Sequence, residues 1–152
     1  MGEGSKLKQV YSQRYPHSVG LFYSAMTQRL GLKANRDEYL VEPMGRDIDT
    51  NENLQLVNDM LKTFIKGPLN GSEPGVKFSH NLHKGANWYK PELYTKNDLA
   101  RLANATQFVF ELMVKSTSKW CLQNLPSHNL ILTGGCALNL SLIHISEPTR
   151  HA

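Results

Sequence analysis

The chain has 152 residues, enough for one domain with a real core and too few for two. Its apolar content of 40% and charged content of 20% exclude a disordered tail and a fibrous repeat. The net charge of +4, from 17 basic and 13 acidic residues, is spread along the chain without the clustered Lys and Arg of a nucleic-acid binder, so no nucleic-acid partner is expected.

Ser18 opens the first predicted helix: its hydroxyl is suited to accept a backbone N–H, and Val19, Phe22, Met26 and Leu30 recur on one face. Gly31 is placed to end that helix, and a polar loop is expected from there to Asp49. Asp49 and Glu52 resemble a capping box. Leu54, Val57, Met60, Leu61, Phe64 and Ile65 then hold a helical period up to Lys66, where Gly67-Pro68 stops it. Leu69 to Leu93 is rich in Gly and Pro and reads as loop, with a short strand around Val76 and Phe78.

The clearest predicted element is a helix from Lys96 to about Asn124, ~40 Å long at ~1.5 Å per residue. Thr95 and Asp98 form its capping box, and apolar residues keep period from Leu99 to Cys121. After Pro126, Leu130-Ile131-Leu132 reads as a buried strand and Gly134-Gly135 as a strand-to-helix turn. The whole is an α/β pattern in which helices dominate.

Cys121 and Cys136 are far apart and lack C-x-x-C spacing, which argues against a disulfide framework and for a reducing, cytoplasmic setting. No apolar run approaches the ~20 residues needed to cross a bilayer, so no membrane partner is expected.

Four features are candidates for chemistry. The glycine pair lets backbone approach a ligand, and a helix starting just after it would turn free N–H groups toward an anion or a nucleotide edge; on spacing alone an ordinary tight turn is the favoured reading. His80 and His83 are two imidazoles in one polar loop, with no third metal ligand beside them. His17, next to Ser18, is a candidate because imidazole is a common acid–base group, but it has no nucleophile elbow or telling carboxylate near it; a helix-start role is the alternative. The inward-facing members of Phe108, Phe110 and Trp120 belong to a core face rather than a stacking platform.

Several stretches together resemble one family. Gly2 to Leu7, Tyr15-Pro-His-Ser-Val-Gly-Leu-Phe-Tyr-Ser-Ala-Met-Thr-Gln28 with Leu30-Gly31, Asp37-Glu-Tyr39, Asn81-Leu-His83, and Asn129-Leu-Ile-Leu-Thr-Gly-Gly-Cys-Ala-Leu-Asn139 occur in the order found in carbamoyltransferases of nodulation and antibiotic biosynthesis. The resemblance implies part of an actin/hexokinase-like ATPase domain (ribonuclease-H-like). It also implies ATP and a divalent metal as cofactors, and carbamoyl phosphate and a small-molecule acceptor as partners. The carbamoyl group would pass through carbamoyl-adenylate to a hydroxyl or amine of that acceptor. Gly134, Gly135 and Asn139 match the family's strand-turn-helix on the nucleotide side and inherit adenylate binding from it; no catalytic residue and no metal ligand is carried over.

One departure is marked: Leu40 stands where the family has Lys, and Leu40-Val-Glu-Pro-Met-Gly-Arg-Asp-Ile-Asp49 replaces its usual continuation. The family's metal-binding histidines would fall before Met1 and its glycine- and aspartate-rich adenylate segment after Asn139, so the chain is expected to be an inactive piece of a larger enzyme. Leu140 to Arg150 reads in frame as the translation of a transposase sequencing adapter, giving a division into residues 1–139, a fragment of the ATPase-like domain, and 140–152, not native. The alternatives are a non-enzymatic nucleotide- or partner-binding module, and a sugar-kinase-like protein of the same superfamily.

Overall fold

A computed structural model describes residues 1–139; the adapter-like stretch from Leu140 lies outside them. The element order is β1 (Gly2–Glu3), β2 (Lys6–Leu7), α1 (Val19–Arg29), a 3-10 turn (Glu38–Leu40), α2 (Val41–Gly45), α3 (Leu54–Phe64), β3 (Ile65–Lys66), β4 (Lys77–Phe78), a 3-10 turn (Leu82–Lys84), α4 (Lys96–Asn124) and a last 3-10 turn (Gly135–Leu138). Both sheets are two-residue antiparallel ribbons, β1 with β2 and β3 with β4. Helices and strands are both present, as in an α/β chain, and helices dominate.

α4 is the axis of the described structure, and α1, α2 and α3 pack on it. It forms where its sequence dictates. The Thr95 side chain accepts from Asp98 N while Asp98 accepts from the Thr95 N–H, completing the capping box. Leu102, Ala103, Thr106, Val109, Phe110 and Met113 are buried along its inner face. Burial stops at Ser116: Thr117, Trp120 and Cys121 keep the apolar period but are only half-buried.

α1 also follows its signals. Ser18 Oγ accepts from Leu21 N at 3.3 Å, Phe22, Met26 and Leu30 reach the core, and the chain leaves through Gly31 at φ +81°. Phe22, Phe64 and Phe110 are the largest fully buried side chains, and Phe22 meets Phe64 edge-on at 5.6 Å.

Three expectations change. The second helix starts at Leu54, not Asp49, because the Asp49 carboxylate accepts from Asn51 N two residues on and holds a turn instead of capping a helix. It ends at Phe64, since Ile65 and Lys66 leave it to pair with Phe78 and Lys77.

The expected polar loop after Leu32 contains α2. Pro43 sits in its first turn, where a missing N–H costs nothing. Gly45 lets it approach α4 so closely that a Cβ there would lie 2.3 Å from the Asn104 backbone nitrogen. Asn104 Nδ2 donates to the Gly45 and Ile48 carbonyls and so ties down the far end of α2.

Leu130–Leu132 is not a strand. Ile131 is 88% exposed, and no described strand lies alongside to satisfy its backbone. Gly134, at φ +95° and ψ 179°, makes the turn in a conformation that only glycine adopts readily; it leads into a short 3-10 turn, not an α-helix.

Candidate functional site

A cavity of about 680 Å³ opens between the start of α1, the segment Asn35–Tyr39 and the turn Gly135–Asn139. Its volume is within the ~300–1,000 Å³ range of small-molecule sites. Ser18, Gly20, Tyr23 and Ser24 come from α1 and its cap, Glu38 and Tyr39 from the first 3-10 turn, and Gly135, Cys136 and Asn139 from the last. Three stretches singled out in the sequence, up to about 120 residues apart, therefore wall one cavity. The other two do not: Gly2 to Leu7 forms the β1–β2 ribbon, and Asn81-Leu-His83 sits beside Tyr15, with Leu82 buried against the core.

Hydrogen bonds fix the walls. Glu38 Oε1 accepts from Ser24 Oγ at 2.9 Å and from Asn35 N at 2.6 Å, joining α1 to the loop across one side. Arg36 lines the cavity, but its guanidinium is paired with Asp37 at 2.8 Å. That hydrogen bond, together with the Lys33 N–H, holds the Asp37 carboxyl below the usual range.

At the floor, Tyr23 OH donates to Gln107 Oε1 at 2.8 Å. Gln107 and Asn139 exchange a reciprocal amide pair, Nε2 to Oδ1 at 3.0 Å and Nδ2 to Oε1 at 2.9 Å. Burial, then the nearby Glu42 carboxylate, pushes the Tyr23 phenol far above its ordinary range, so it stays a neutral donor. Leu21, Phe110 and Leu138 add apolar surface.

Of the three residues expected to bind an adenylate, Gly135 and Asn139 line the cavity, and Gly134 sets the turn that brings them there. Neither glycine is crowded: a Cβ at Gly134 or Gly135 would meet nothing within 4 Å. Gly134 is needed for its backbone angles. Asn139 spends its amide on Gln107 and Tyr23, with Nδ2 also 3.4 Å from the phenol oxygen.

His17 is committed to the fold. Its Nδ1 accepts from Phe78 N at 2.9 Å, its carbonyl accepts from Gln13 Nε2, and its ring stacks on Phe78 at 6.5 Å. His80 and His83 have different aromatic neighbours, Trp88 at 4.6 Å for the first and Tyr15 at 5.0 Å for the second. Among the described residues no group of three or more His, Cys, Asp or Glu is placed to hold a metal ion. Cys136 is exposed, with its sulfur toward Gly20, and burial on that side pushes its thiol up.

The sequence reading had not marked Tyr23, Gln107 or Glu38 as site residues. The signal for Gln107 was a long polar side chain between Thr106 and Phe110 on the inner face of α4, where an amide without a partner would be costly.

The described residues thus form a helix-dominated domain with a polar-floored cavity built from the start of a helix and a glycine turn. The chain belongs to the carbamoyltransferase family: the model for the carbamoyltransferase N-terminus matches residues 2–144. It is also 29% identical over 149 residues to the uncharacterized protein sll1178 of Synechocystis sp., covering 91% of this chain and 24% of that protein. The chain thus spans about a quarter of the length of that relative. No solved structure matches the chain. No described helix is long and apolar enough to cross a membrane.

Proposed function

We propose that this chain is part of an ATP-dependent carbamoyltransferase, which moves a carbamoyl group through carbamoyl-adenylate to a hydroxyl or amine of a small molecule. The observation that carries the reading is the family match across residues 2–144. The geometry supports it: the Ser18–Ser24, Glu38–Tyr39 and Gly135–Asn139 stretches converge on one cavity of ligand size. In this reading the described residues are part of an actin/hexokinase-like ATPase domain, and residues 140–152 are not native.

The cavity fits the nucleoside portion of an adenylate better than its phosphates. Leu21, Phe110 and Leu138 offer apolar faces for a base, and the Ser18 and Ser24 hydroxyls lie on the polar side of the lining. Among the described residues the one cationic lining group, Arg36, is paired with Asp37, and Glu38 adds a carboxylate. ATP, when bound, would supply the adenylyl group with release of pyrophosphate, and carbamoyl phosphate would supply the carbamoyl group with loss of its phosphate to water; the lining residues would hold and orient the nucleoside. A divalent metal finds no ligand set among the described residues, so no step is assigned to one.

The chain by itself is proposed to be inactive. Pyrophosphate release measured with the longer protein should require ATP and carbamoyl phosphate together, and the 152-residue chain should release none. Release from the longer protein without carbamoyl phosphate, or no release with both, overturns the carbamoyl-adenylate route.

A further inference from the structure

Asn139 is the last described residue, and its side chain lies at the cavity floor, where both polar atoms of its amide already have protein partners. Oδ1 accepts from Gln107 at 3.0 Å; Nδ2 donates to Gln107 at 2.9 Å and lies 3.4 Å from the Tyr23 oxygen. Gln107 is 8% exposed and is itself fixed, with Nε2 also donating to Glu111 Oε1 at 2.8 Å and Oε1 accepting from Tyr23.

The rest of the turn touches the body of the molecule through few groups. Its own backbone bonds, Ala137 N to Gly134 O and Asn139 N to Cys136 O, are internal to it. Cys136 Sγ lies against Gly20, close enough that a Cβ there would be 3.3 Å away. Ile131 and Leu138 are 88% and 81% exposed and hold nothing in place.

We infer that Gln107 is a positioning residue: with Tyr23 it forms a latch for the Asn139 amide, and the latch, not apolar packing, holds the Gly135–Leu138 wall over the cavity. This rests on the proposal that the cavity is the ligand site. It reassigns Asn139 from ligand contact to wall attachment, and it adds a polar residue of α4 to a site that the helix already lines with Phe110.

Two complementary amides, one buried and one half-buried, beside a neutral phenol suit such a role. Each end both donates and accepts, so the pair is satisfied in one geometry and leaves unpaired polar groups in any slipped one. The Tyr23 phenol is donor to one amide and neighbour to the other, which couples the latch to the α1 wall that carries Ser18 and Ser24.

The test reads attachment directly and needs no ligand, so its failure is distinct from a failure of the nucleotide reading. In the 152-residue chain with Cys121→Ser, Cys136 is the one cysteine left, and it is exposed enough to carry a nitroxide whose mobility reports how tightly the turn is held. Gln107→Leu and Asn139→Ala should each raise the ratio of mobile to immobile label about tenfold, the effect of losing a paired amide from a two-state closure. Glu111→Gln, which keeps an acceptor for Gln107, should leave the ratio within about twofold. Asn139→Ala is the safeguard should Gln107→Leu unfold the core, because Asn139 is only half-buried. An unchanged ratio in Asn139→Ala would overturn the latch. So would an equal rise in Glu111→Gln.

Discussion

Gly45 shows how much one missing methyl group decides. A Cβ at this position would stand 2.3 Å from Asn104 N, 2.6 Å from Asn104 Cα and 2.9 Å from the Ala103 carbonyl carbon, all backbone atoms of α4 that have no room to yield. Gly45→Ala is therefore expected to push α2 off α4 and to cost about 1–3 kcal/mol or more, the range for overpacking a tight contact. A chemical-denaturation midpoint compared with the parent chain checks this; an unchanged midpoint would mean that α2 does not sit where described. His17 makes the complementary point. An imidazole that was eligible for catalysis proves to be a backbone acceptor, because Phe78 N would otherwise lack a partner in a part-buried site.

At the scale of the element, α4 depends on its first turn. The Thr95 hydroxyl, then the Thr95 backbone, hold the Asp98 carboxyl below the usual carboxylate range. Since the folded value is depressed, the stabilisation is complete above the unfolded value near ~4 and is lost as pH falls through the folded one. Thr95→Ala should cost about 1 kcal/mol at neutral pH. It should also flatten the acid limb of the helical ellipticity curve. A variant as acid-sensitive as the parent would show that the capping box is not the titrating feature. The contrast with α3 is instructive: Asp49 and Glu52 have the same spacing as Thr95 and Asp98, yet the helix starts five residues later. Asn53, buried at 1% exposure, donates to Arg101 O and to Asn104 Oδ1, so contacts with α4 set where α3 begins.

Across the whole molecule, stability is uneven along α4. Its buried face ends at Ser116, whose hydroxyl accepts from Gly71 N at 3.0 Å, and beyond it no residue of the helix is buried. Amide exchange should be slowest from Leu102 to Met113 and rise by orders of magnitude between Thr117 and Asn124, since few tertiary contacts oppose local opening there. Equal protection along the full helix, measured by hydrogen exchange, would show that the stretch from Thr117 to Asn124 is covered in solution.

Local chemistry was enough to fix α1 and α4, because caps and a 3.6-residue apolar period act within one segment: Ser18, Thr95 with Asp98, and the faces through Phe22 and Phe110 could be read from neighbours alone. The ordered stretches likewise pointed to the family that residues 2–144 match. Tertiary structure decided everything that needs a partner far along the chain. It placed α2 through Gly45 on Asn104, denied Leu130–Leu132 a strand for want of a neighbour, and gave the Asn139 amide to Gln107 and Tyr23. The physical reason is the same each time: a close contact or a buried hydrogen bond is a property of two surfaces, and a linear sequence displays only one of them at a time.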